Sequence, residues 1–360
     1  MHNDLRQLLI RPADVAPSHE DWEVIGTFNP GAAKTDDGVV LLVRVAERPR
    51  PQRPGFTGLP RWEAGRGIVI DWIANEALEW VDPRVVRCKA DGLVRLTFTS
   101  YLKVFRSADG INFVSHGDPD FLPESPLEEF GVEDPRITPL DGRFYITYVA
   151  VSRHGVTTAL ASTEDFQSFS RQGVIFGPEN KDVVLFPERI GDLYVALTRP
   201  SGGAGFARPE MWLAKSPDLI HWGQHQHLLG VGATWDSGRI GAGPPPLRVE
   251  DGWLVLYHGN RRPREPGDVG EYSADAMLLA HDDPSCILRR RESPLLSPQA
   301  DFEREGFVPG VVFPTGIVAD DASLLVYYGA ADTSTAVVRL SRDEVFTAAT
   351  FNSCGIRECT

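Results

Sequence analysis

The stretch Gly131-Val132-Glu133-Asp134-Pro135-Arg136 is followed closely by Asp141-Gly142-Arg143-Phe144-Tyr145-Ile146-Thr147-Tyr148. The second stretch predicts a turn and then a β-strand, because Asp-Gly favours a tight turn and the residues after it are largely aromatic and β-branched. The first stretch therefore places a carboxylate and a guanidinium, held around a proline, at the mouth of a strand. This arrangement suits an acid that cleaves a sugar beside an anion site.

The turn-and-strand pattern recurs along the chain at roughly the spacing of propeller blades. Each copy has an acidic or glycine turn before a short apolar and aromatic strand, and the further copies begin at Asp37, Gly191, Asp251 and Asp321, with a degraded one from Gly92 to Ser100. Successive copies lie roughly 50–70 residues apart. A second element, a polar turn followed by an aromatic residue, recurs in the same phase at 106–113, 161–169 and 214–222. Two interleaved repeats of short strands predict an all-β fold and favour a β-propeller over a β-sandwich with accidental similarity.

The composition fits one turn-rich β domain. The chain has 360 residues, of which 42% are hydrophobic, 34 are glycine and 28 are proline. No linker or low-complexity run divides it, so we predict a single catalytic propeller domain over residues 1–360. Residues 1–20 are predicted to be an N-terminal extension and residues 345–360 a C-terminal tail. A strand near the N-terminus is expected to join the last blade, because a propeller must seal its remaining edges.

Charge and cysteine content narrow the class of partner and the compartment. The net charge of −14 disfavours nucleic acid and anionic membranes as partners. Residues 1–18 lack the apolar core of a signal peptide, and no apolar run is long enough to span a membrane. The chain has four cysteines, Cys88, Cys286, Cys354 and Cys359, and their spacing is not that of metal ligands. They predict a reducing cytoplasm as the compartment and no metal site. Whether the chain forms a homo-oligomer stays open.

Six groups of motifs, in order along the chain, carry a family resemblance. They are Phe28-Asn29-Pro30-Gly31-Ala32, Glu133-Asp134-Pro135-Arg136, Asn180-Lys181-Asp182 with Phe186-Pro187-Glu188, Trp235-Asp236-Ser237 with Ile240-Gly241-Ala242-Gly243-Pro244-Pro245-Pro246, Tyr257-His258-Gly259, and Tyr327-Tyr328-Gly329-Ala330-Ala331-Asp332-Thr333. Together they resemble the motifs of glycoside hydrolase family 130. The resemblance implies a five-bladed β-propeller with its active site in the central cavity, acting on β-mannosides. Most members of the family are phosphorylases, and some are hydrolases.

The nucleophile separates these two activities. An inverting hydrolase needs a second carboxylate to activate water. A phosphorylase uses inorganic phosphate, so it needs one acid and a cluster of cations. The leading hypothesis is an inverting β-mannoside phosphorylase that releases α-mannose 1-phosphate, with phosphate as co-substrate and no other cofactor. The runner-up is a β-mannosidase in which Glu188 or Glu210 helps to activate water. A non-catalytic glycan-binding propeller is a third hypothesis, but it has no need of an acid and a phosphate cradle.

The predicted acid is Asp134, whose alternative role is to cap the turn before its strand. The resemblance implies that its proton can travel through a sugar hydroxyl rather than directly to the leaving oxygen. Lys181, Arg199 and His258 occupy blade positions equivalent to that of Asp134, and the resemblance implies that they bind phosphate with Tyr257 beside them. Alternatively, these three side chains are solvated ends of blades. Taken by itself, His258 is also consistent with a buried core histidine.

Sugar contacts are predicted for Asn29, Arg44 and Asp332, because amide and charged side chains held rigidly recognise hydroxyls. Asp236 is a candidate contact to the acceptor sugar. Arg136 is a candidate contact or, alternatively, an ion-pair partner. Asp332 and Asp236 have turn roles as their alternatives.

Two arginine-rich segments, 48–66 and 261–271, are predicted to be loops near the acceptor sugar, whose identity the sequence does not settle. Arg50 is the first choice in the former to complete the phosphate site. Glu133 is expected to face away from the site or to bond to backbone.

Overall fold

The computed structural model describes residues 5–115, 117, 120–202, 205–263, 265, 268–291, 293–320, 323–342 and 345. Asp321, which begins the last predicted copy of the repeat, lies outside the described residues. So do Cys354, Cys359 and all of the predicted tail 345–360 except Val345. Within the described residues, no helix combines the length and the apolar character that crossing a membrane requires.

Strands make up most of the regular structure. The first part of the chain contains β1 (Leu5–Ile10), β2 (Trp22–Thr35), β3 (Gly38–Pro49), β4 (Phe56–Glu63), β5 (Gly67–Ala74), β6 (Leu78–Asp82), β7 (Val85–Cys88), β8 (Val94–Leu96) and β9 (Thr99–Ser107). The middle contains β10 (Gly131–Leu140), β11 (Arg143–Ser152), β12 (Gly155–Thr163), β13 (Ser170–Phe176), β14 (Asn180–Leu185), β15 (Tyr194–Pro200), β16 (Met211–Ser216) and β17 (Gly223–Leu229). The last part contains β18 (Arg239–Ala242), β19 (Leu247–Val249), β20 (Gly252–Asn260), β21 (Tyr272–Leu279), β22 (Ile287–Arg290), β23 (Val312–Ala319), β24 (Ser323–Ala330) and β25 (Ser334–Ser341).

Helical structure in the described residues is confined to short pieces. The short helix α1 covers Asp301–Arg304, 3₁₀ turns cover Pro12–Asp14, Asn75–Ala77 and Pro126–Glu128, and Arg342 and Val345 are also helical. The predicted all-β class is therefore confirmed.

Five antiparallel sheets follow one another along the chain. Their strand orders are β2-β3-β9, then β10-β11-β12-β13, then β14-β15-β16-β17, then β18-β20-β21-β22 with β19 added to β20, and finally β1-β25-β24-β23. Each sheet contacts the next, through β2 with β10, β10 with β14, β14 with β18 and β21 with β23. The last sheet contacts the first through β23 and β2. The sheet contacts therefore run from the first sheet to the last and back to the first.

The N-terminal strand completes the last sheet, as the sealing of an open edge predicts. Residues 5–10, which the sequence assigned to an extension, form β1 and pair antiparallel with β25, with Leu5 opposite Arg339. One sheet therefore combines the two ends of the described chain.

Residues between β3 and β9 form two smaller sheets, the hairpin β4-β5 and the three-stranded β6-β7-β8. The backbone N–H of Trp62 in β4 donates to the carbonyl of Glu129, which ties the hairpin to the segment before β10. This insertion corrects two predictions. The segment 48–66 contains strand β4 rather than being only a loop, and residues 92–100 do not form a repeat copy of their own, because they are divided between β8 and the start of β9.

Alternate residues of one strand pack against two neighbouring sheets, which explains the nearly continuous apolar runs. In β24, Leu324, Val326 and Tyr328 pack with residues of β20 and β21, whereas Leu325 and Tyr327 pack with residues of β3. Side chains of a strand alternate between its two faces, so a strand that lies between two sheets is apolar on both faces. The core is therefore distributed between the sheets.

Candidate active site

Three strands carry the same backbone irregularity at a polar residue. Asn29 in β2, Asp134 in β10 and Asp182 in β14 have positive φ angles of 51°, 49° and 54°. Each lies at a shift in register with the neighbouring strand, as in a β-bulge. Asparagine and aspartate tolerate this left-handed backbone better than other non-glycine residues. The bulges interrupt side-chain alternation at one position in each of three successive sheets.

These bulges border a cavity of about 490 Å³ that is lined by residues from all five sheets. Six of the residues predicted for the site line it: Asn29, Arg44, Asp134, Lys181, Arg199 and Asp332. Apolar side chains, among them Phe28, Phe98 and Phe313, line the same cavity. It thus combines charged groups with low-polarity walls, as sites for small ligands commonly do.

Asp134 is buried and held on one carboxylate oxygen. Asn29 Nδ2 donates to Asp134 Oδ1 at 2.8 Å, and Arg44 Nη1 donates to the same oxygen at 3.0 Å. Arg44 is itself fixed by a bond from its Nε to Ser100 Oγ at 3.1 Å and by the ring of Phe28, 4.7 Å from its Cζ. The carboxylate therefore has a fixed position at the cavity wall.

Glu133 points toward the site, which corrects the expectation that it faces elsewhere. Arg44 Nη2 donates to Glu133 Oε1 at 2.6 Å, and Lys181 Nζ lies 3.5 Å from Glu133 Oε2. The bulge at Asp134 explains this placement, because it breaks the alternation that would send neighbouring side chains to opposite faces. Glu133 and Asp134 therefore share Arg44.

The charges around Asp134 favour its ionised form. Burial works against ionisation, but the positive charges of Arg44, Arg136 and Lys181 outweigh it and lower the pKa of Asp134 below its ordinary value. The hydrogen bond from Asn29 acts in the same direction. In this state of the protein, the candidate acid is a carboxylate near neutral pH.

A second buried cluster is centred on Asp182. Arg199 Nη1 and His258 Nε2 lie 2.5 and 3.1 Å from Asp182 Oδ2, and Arg136 Nη2 donates to Oδ1 at 3.1 Å. Burial opposes ionisation of Asp182, yet the charge of Arg199 and its other partners holds the pKa of this carboxyl well below its usual range. Burial also lowers the pKa of His258. Two guanidinium groups therefore surround one carboxylate, which leaves an excess of positive charge beside the cavity.

Two cavity arginines were not predicted. Arg239, at the start of β18, lines the cavity together with Lys181 and Arg199. Its signal in the sequence is its place just before the motif that begins at Ile240. Arg84, in the turn between β6 and β7, also lines the cavity, and its signal is the tripeptide Asp82-Pro83-Arg84, which repeats the Asp-Pro-Arg of residues 134–136.

Arg84 faces Asp332 across the cavity wall. Its Nη1 lies 3.6 Å from Asp332 Oδ2, and Asp82 holds the other side of the guanidinium at 3.0 Å. Asp332 also has a positive φ, 46°. Burial raises the pKa of Asp332. This pair places a cation and a carboxylate where the insertion meets the last sheet.

Five of the predicted site residues do not line the cavity, and the surroundings of each explain why. Arg136 is 1% exposed, and it bonds to Asp182 and to the carbonyl of Asp134. Tyr257 is fully buried, with its hydroxyl bonded to Asp275 and Arg290. Asp236 is an ion-pair partner of Arg290 at 2.5 Å. Arg50 is exposed at the end of β3.

His258 is also absent from the cavity wall, but it contacts a residue that forms it. It is fully buried, and its Nε2 lies 3.2 Å from Arg199 Nη1. The ring of His258 packs against that of Phe313, with centroids 4.1 Å apart. His258 therefore contacts the Arg199 guanidinium without itself lining the cavity, and helps to fix its position.

The carboxylates considered for a hydrolase lie elsewhere. Glu188 is paired with Arg248, and Glu210 accepts from His227 at 2.9 Å and from the backbone N–H of Val231 at 3.1 Å. Neither lines the cavity. In the described residues no group of three or more His, Cys, Asp or Glu side chains is placed to hold a metal ion.

The segment 261–271 borders a separate cleft of about 580 Å³. The described residues that line it are Ala233, Thr234, Trp235, Ser237, Arg261, Arg262, Pro263 and Glu271. Trp235 is held by packing on Tyr257, with ring centroids 5.8 Å apart. Asp236 therefore anchors the loop that carries this tryptophan through its pair with Arg290.

Comparison with known proteins finds relatives over most of the chain. The model of glycoside hydrolase family 130, described as beta-1,4-mannooligosaccharide phosphorylase, matches residues 73–350. The chain is 40% identical to a beta-1,2-mannobiose phosphorylase from Listeria innocua, over 94% of this chain and 95% of that protein. It is 36% identical to a 1,2-beta-oligomannan phosphorylase from a Thermoanaerobacter species, over 66% of this chain and 78% of that protein.

The fold is similar to a solved structure over nearly its whole length. That structure is the beta-1,2-mannobiose phosphorylase from Listeria innocua in complex with beta-1,2-mannobiose. The TM-score is 0.89 at 40% identity, and the match covers 96% of this chain and 98% of the other.

Proposed function

The chain belongs to glycoside hydrolase family 130, and on that premise we propose that it is an inverting β-mannoside phosphorylase. It transfers a mannosyl group from a β-mannoside to inorganic phosphate and releases α-mannose 1-phosphate. The observation that carries this proposal is the pairing, in one cavity, of the buried carboxylate Asp134 with three cations, Lys181, Arg199 and Arg239. A phosphorylase needs these groups, because it uses one acid and a binding site for its anionic nucleophile.

The phosphate site is assigned to Lys181, Arg199 and Arg239. Arginine forks bind phosphate oxygens in pairs, and lysine adds a point charge. His258 and Asp182 hold Arg199 in place rather than binding phosphate themselves. Arg136 has the same supporting role through Asp182, and Tyr257 and Arg50 have no part in this site.

Asp134 acts as the general acid. A phosphate oxygen attacks the anomeric carbon from the face opposite the leaving oxygen, so the configuration inverts. The bond to the leaving oxygen breaks, and a proton from Asp134 passes to it directly or through a sugar hydroxyl. Binding of the phosphate dianion offsets the cations that hold Asp134 ionised, and thereby favours the protonated acid.

The mannosyl group is placed against Asn29, Arg44 and Asp332. These three residues line the cavity together with Asp134, and the apolar Phe28 forms part of the same wall. Arg84, fixed by Asp82, adds a donor at the edge of this subsite. Fixed donors and acceptors of this kind select a sugar by its hydroxyl pattern.

The five sheets are the blades of a β-propeller whose central cavity is the active site. The proposal is supported by the cycle of contacts between successive sheets and by the pairing of β1 with β25. Residues from each of these five sheets also line the cavity. The chain is proposed to act in the cytoplasm as a single catalytic domain, with phosphate as its only co-substrate.

The hydrolase alternative lacks support in the charge distribution. Glu188 and Glu210 are outside the cavity. The further carboxylates that line it have partners: Glu133 pairs with Arg44, Asp182 with Arg199, and Asp332 with Arg84. Glu179 accepts from the backbone of Val156 at 3.2 Å. A water nucleophile gains nothing from such a concentration of cations, whereas phosphate does.

The proposed substrate is a β-1,2-linked mannobiose or a short β-1,2-oligomannan. The family description names a β-1,4 linkage, whereas the Listeria innocua relative is a β-1,2-mannobiose phosphorylase. The relative has the greater weight, because the match covers 94% of this chain.

A panel of disaccharides tests the linkage. With saturating phosphate, kcat/KM for β-1,2-mannobiose is expected to exceed that for β-1,4-mannobiose by at least about tenfold, since one lost hydrogen bond to a charged group is worth about that much. Release of mannose 1-phosphate is the readout. Equal or better turnover of the β-1,4 disaccharide would contradict the β-1,2 assignment and leave the phosphorylase assignment intact.

A further inference from the structure

Glu133 joins the candidate acid to the candidate phosphate site. One of its carboxylate oxygens accepts from Arg44 at 2.6 Å, and Arg44 also donates to Asp134 at 3.0 Å. Its other oxygen lies 3.5 Å from Lys181 Nζ, which lines the cavity beside Arg199 and Arg239. Glu133 is 4% exposed, so these contacts are little screened by solvent.

We propose that Glu133 is a positioning residue that couples occupation of the phosphate site to protonation of Asp134. The inference rests on the phosphate and acid roles assigned above. It links the two roles, because Arg44 beside the acid and Lys181 in the phosphate site both form ion pairs with the buried carboxylate of Glu133.

The coupling follows from the way the cations are divided. Without phosphate, Lys181 and Arg44 both form ion pairs with Glu133, and Arg44 also stabilises the ionised form of Asp134. A bound phosphate draws Lys181 toward itself, at a contact that is long enough at 3.5 Å to yield. Glu133 then depends on Arg44 alone, which weakens the hold of Arg44 on Asp134. A proton from solvent can then bind Asp134, and the acid is loaded when the nucleophile is in place.

The other groups around Asp134 do not supply this link. Charged and polar groups reach it from several elements: Asn29 on β2, Arg44 on β3, Glu133 and Arg136 on β10, Lys181 on β14, and Asp332 after β24. Arg136 is tied to Asp182 and to the carbonyl of Asp134, and Asp332 faces Arg84. Among the charged groups of the described residues, Glu133 is the one that forms an ion pair with both Arg44 and Lys181.

The pH profile of the Glu133→Gln variant tests the coupling. Without the negative charge of Glu133, Arg44 and Lys181 favour the ionised form of Asp134 more strongly and lower its pKa further. The protonated acid that phosphorolysis needs is then lost at a lower pH than in the wild type. The descending limb of the kcat profile is expected to move toward acid by about one pH unit. Activity should recover in part at acidic pH, which a simple loss of structure would not produce.

Two further variants serve as controls. Glu133→Asp keeps the charge and is expected to keep the descending limb of the wild type, even if its rate is lower. Glu129→Gln removes a buried glutamate that is paired with Arg153 outside the cavity, and should leave the limb in place. An acid shift of equal size in Glu133→Asp, or no shift in Glu133→Gln, would overturn the proposal.

Sulfate binding tests the coupling without catalysis. Sulfate resembles phosphate but stays a dianion across the neutral range, so protons taken up on binding go to the protein. Calorimetry in buffers of different ionisation enthalpy should show uptake by the wild type at mildly acidic pH, and about half as much or less by Glu133→Gln. Equal uptake by the two proteins would refute the role of Glu133. Failure of the wild type to phosphorolyse any mannoside would instead refute the proposed function.

Discussion

Replacement of Asp134 by asparagine is expected to lower kcat for phosphorolysis by at least about 10²-fold, the usual scale of a general-acid contribution. Asparagine has nearly the same shape, and its carbonyl oxygen can still accept from Asn29 and Arg44, which bond to Oδ1 of the aspartate. It has no acidic proton to give to the leaving oxygen. The fold should therefore persist while the chemical step fails.

The measurement is the initial rate of α-mannose 1-phosphate release at saturating phosphate, with thermal unfolding of both proteins as the control for structure. A variant that unfolds near the wild-type temperature and turns over slowly supports the acid role. If Asp134→Asn retained near wild-type turnover, Asp134 would be removed from the mechanism. A route for the proton through a sugar hydroxyl does not alter this expectation, because the proton still comes from Asp134.

The Lys181→Ala variant should raise KM for phosphate by about 10-fold to 10²-fold, while KM for the mannoside changes much less. A hydrogen bond to a charged group contributes about 1.5–3 kcal/mol, and tenfold in affinity corresponds to about 1.4 kcal/mol. The side chain of Lys181 is 30% exposed, and its partner Glu133 keeps Arg44, so its removal strands no buried charge. Steady-state kinetics with each substrate varied in turn separates the two constants.

Lys103 provides a matched control. It forms an ion pair with Asp120 at 3.0 Å and does not line the cavity. Lys103→Ala should leave both KM values unchanged. If Lys181→Ala bound phosphate as well as the wild type, the assignment of the nucleophile site to Lys181 would be wrong.

Three of the residues predicted from the sequence stand in or beside a bulge. Asn29 and Asp134 stand before proline, in left-handed backbone that few other residues adopt, so the motif itself reports the bulge. Lys181, predicted from the motif Asn180-Lys181-Asp182, stands next to the third bulge, at Asp182. All three line the cavity, because the bulges occur where successive sheets meet.

The residues that were misplaced depend on which face of a strand they occupy. Tyr257 and His258 are neighbours in β20, yet Tyr257 packs with Phe186 and Trp253, while His258 points to Arg199. A motif gives the identity of such residues but not the direction of each side chain, which alternates along a strand. Arg84 was missed for a different reason: it comes from the insertion between β3 and β9, outside the five sheets that the repeat predicts.

The phosphorylase assignment is tested most directly by whether wild-type protein cleaves β-1,2-mannobiose only when inorganic phosphate is present. The products can be followed by phosphorus and proton NMR, which distinguish α-mannose 1-phosphate from free mannose. A phosphorylase should release one equivalent of α-mannose 1-phosphate per bond cleaved and should cleave nothing in phosphate-free buffer. Release of free mannose at an equal rate without phosphate would contradict the assignment and identify the protein as a hydrolase.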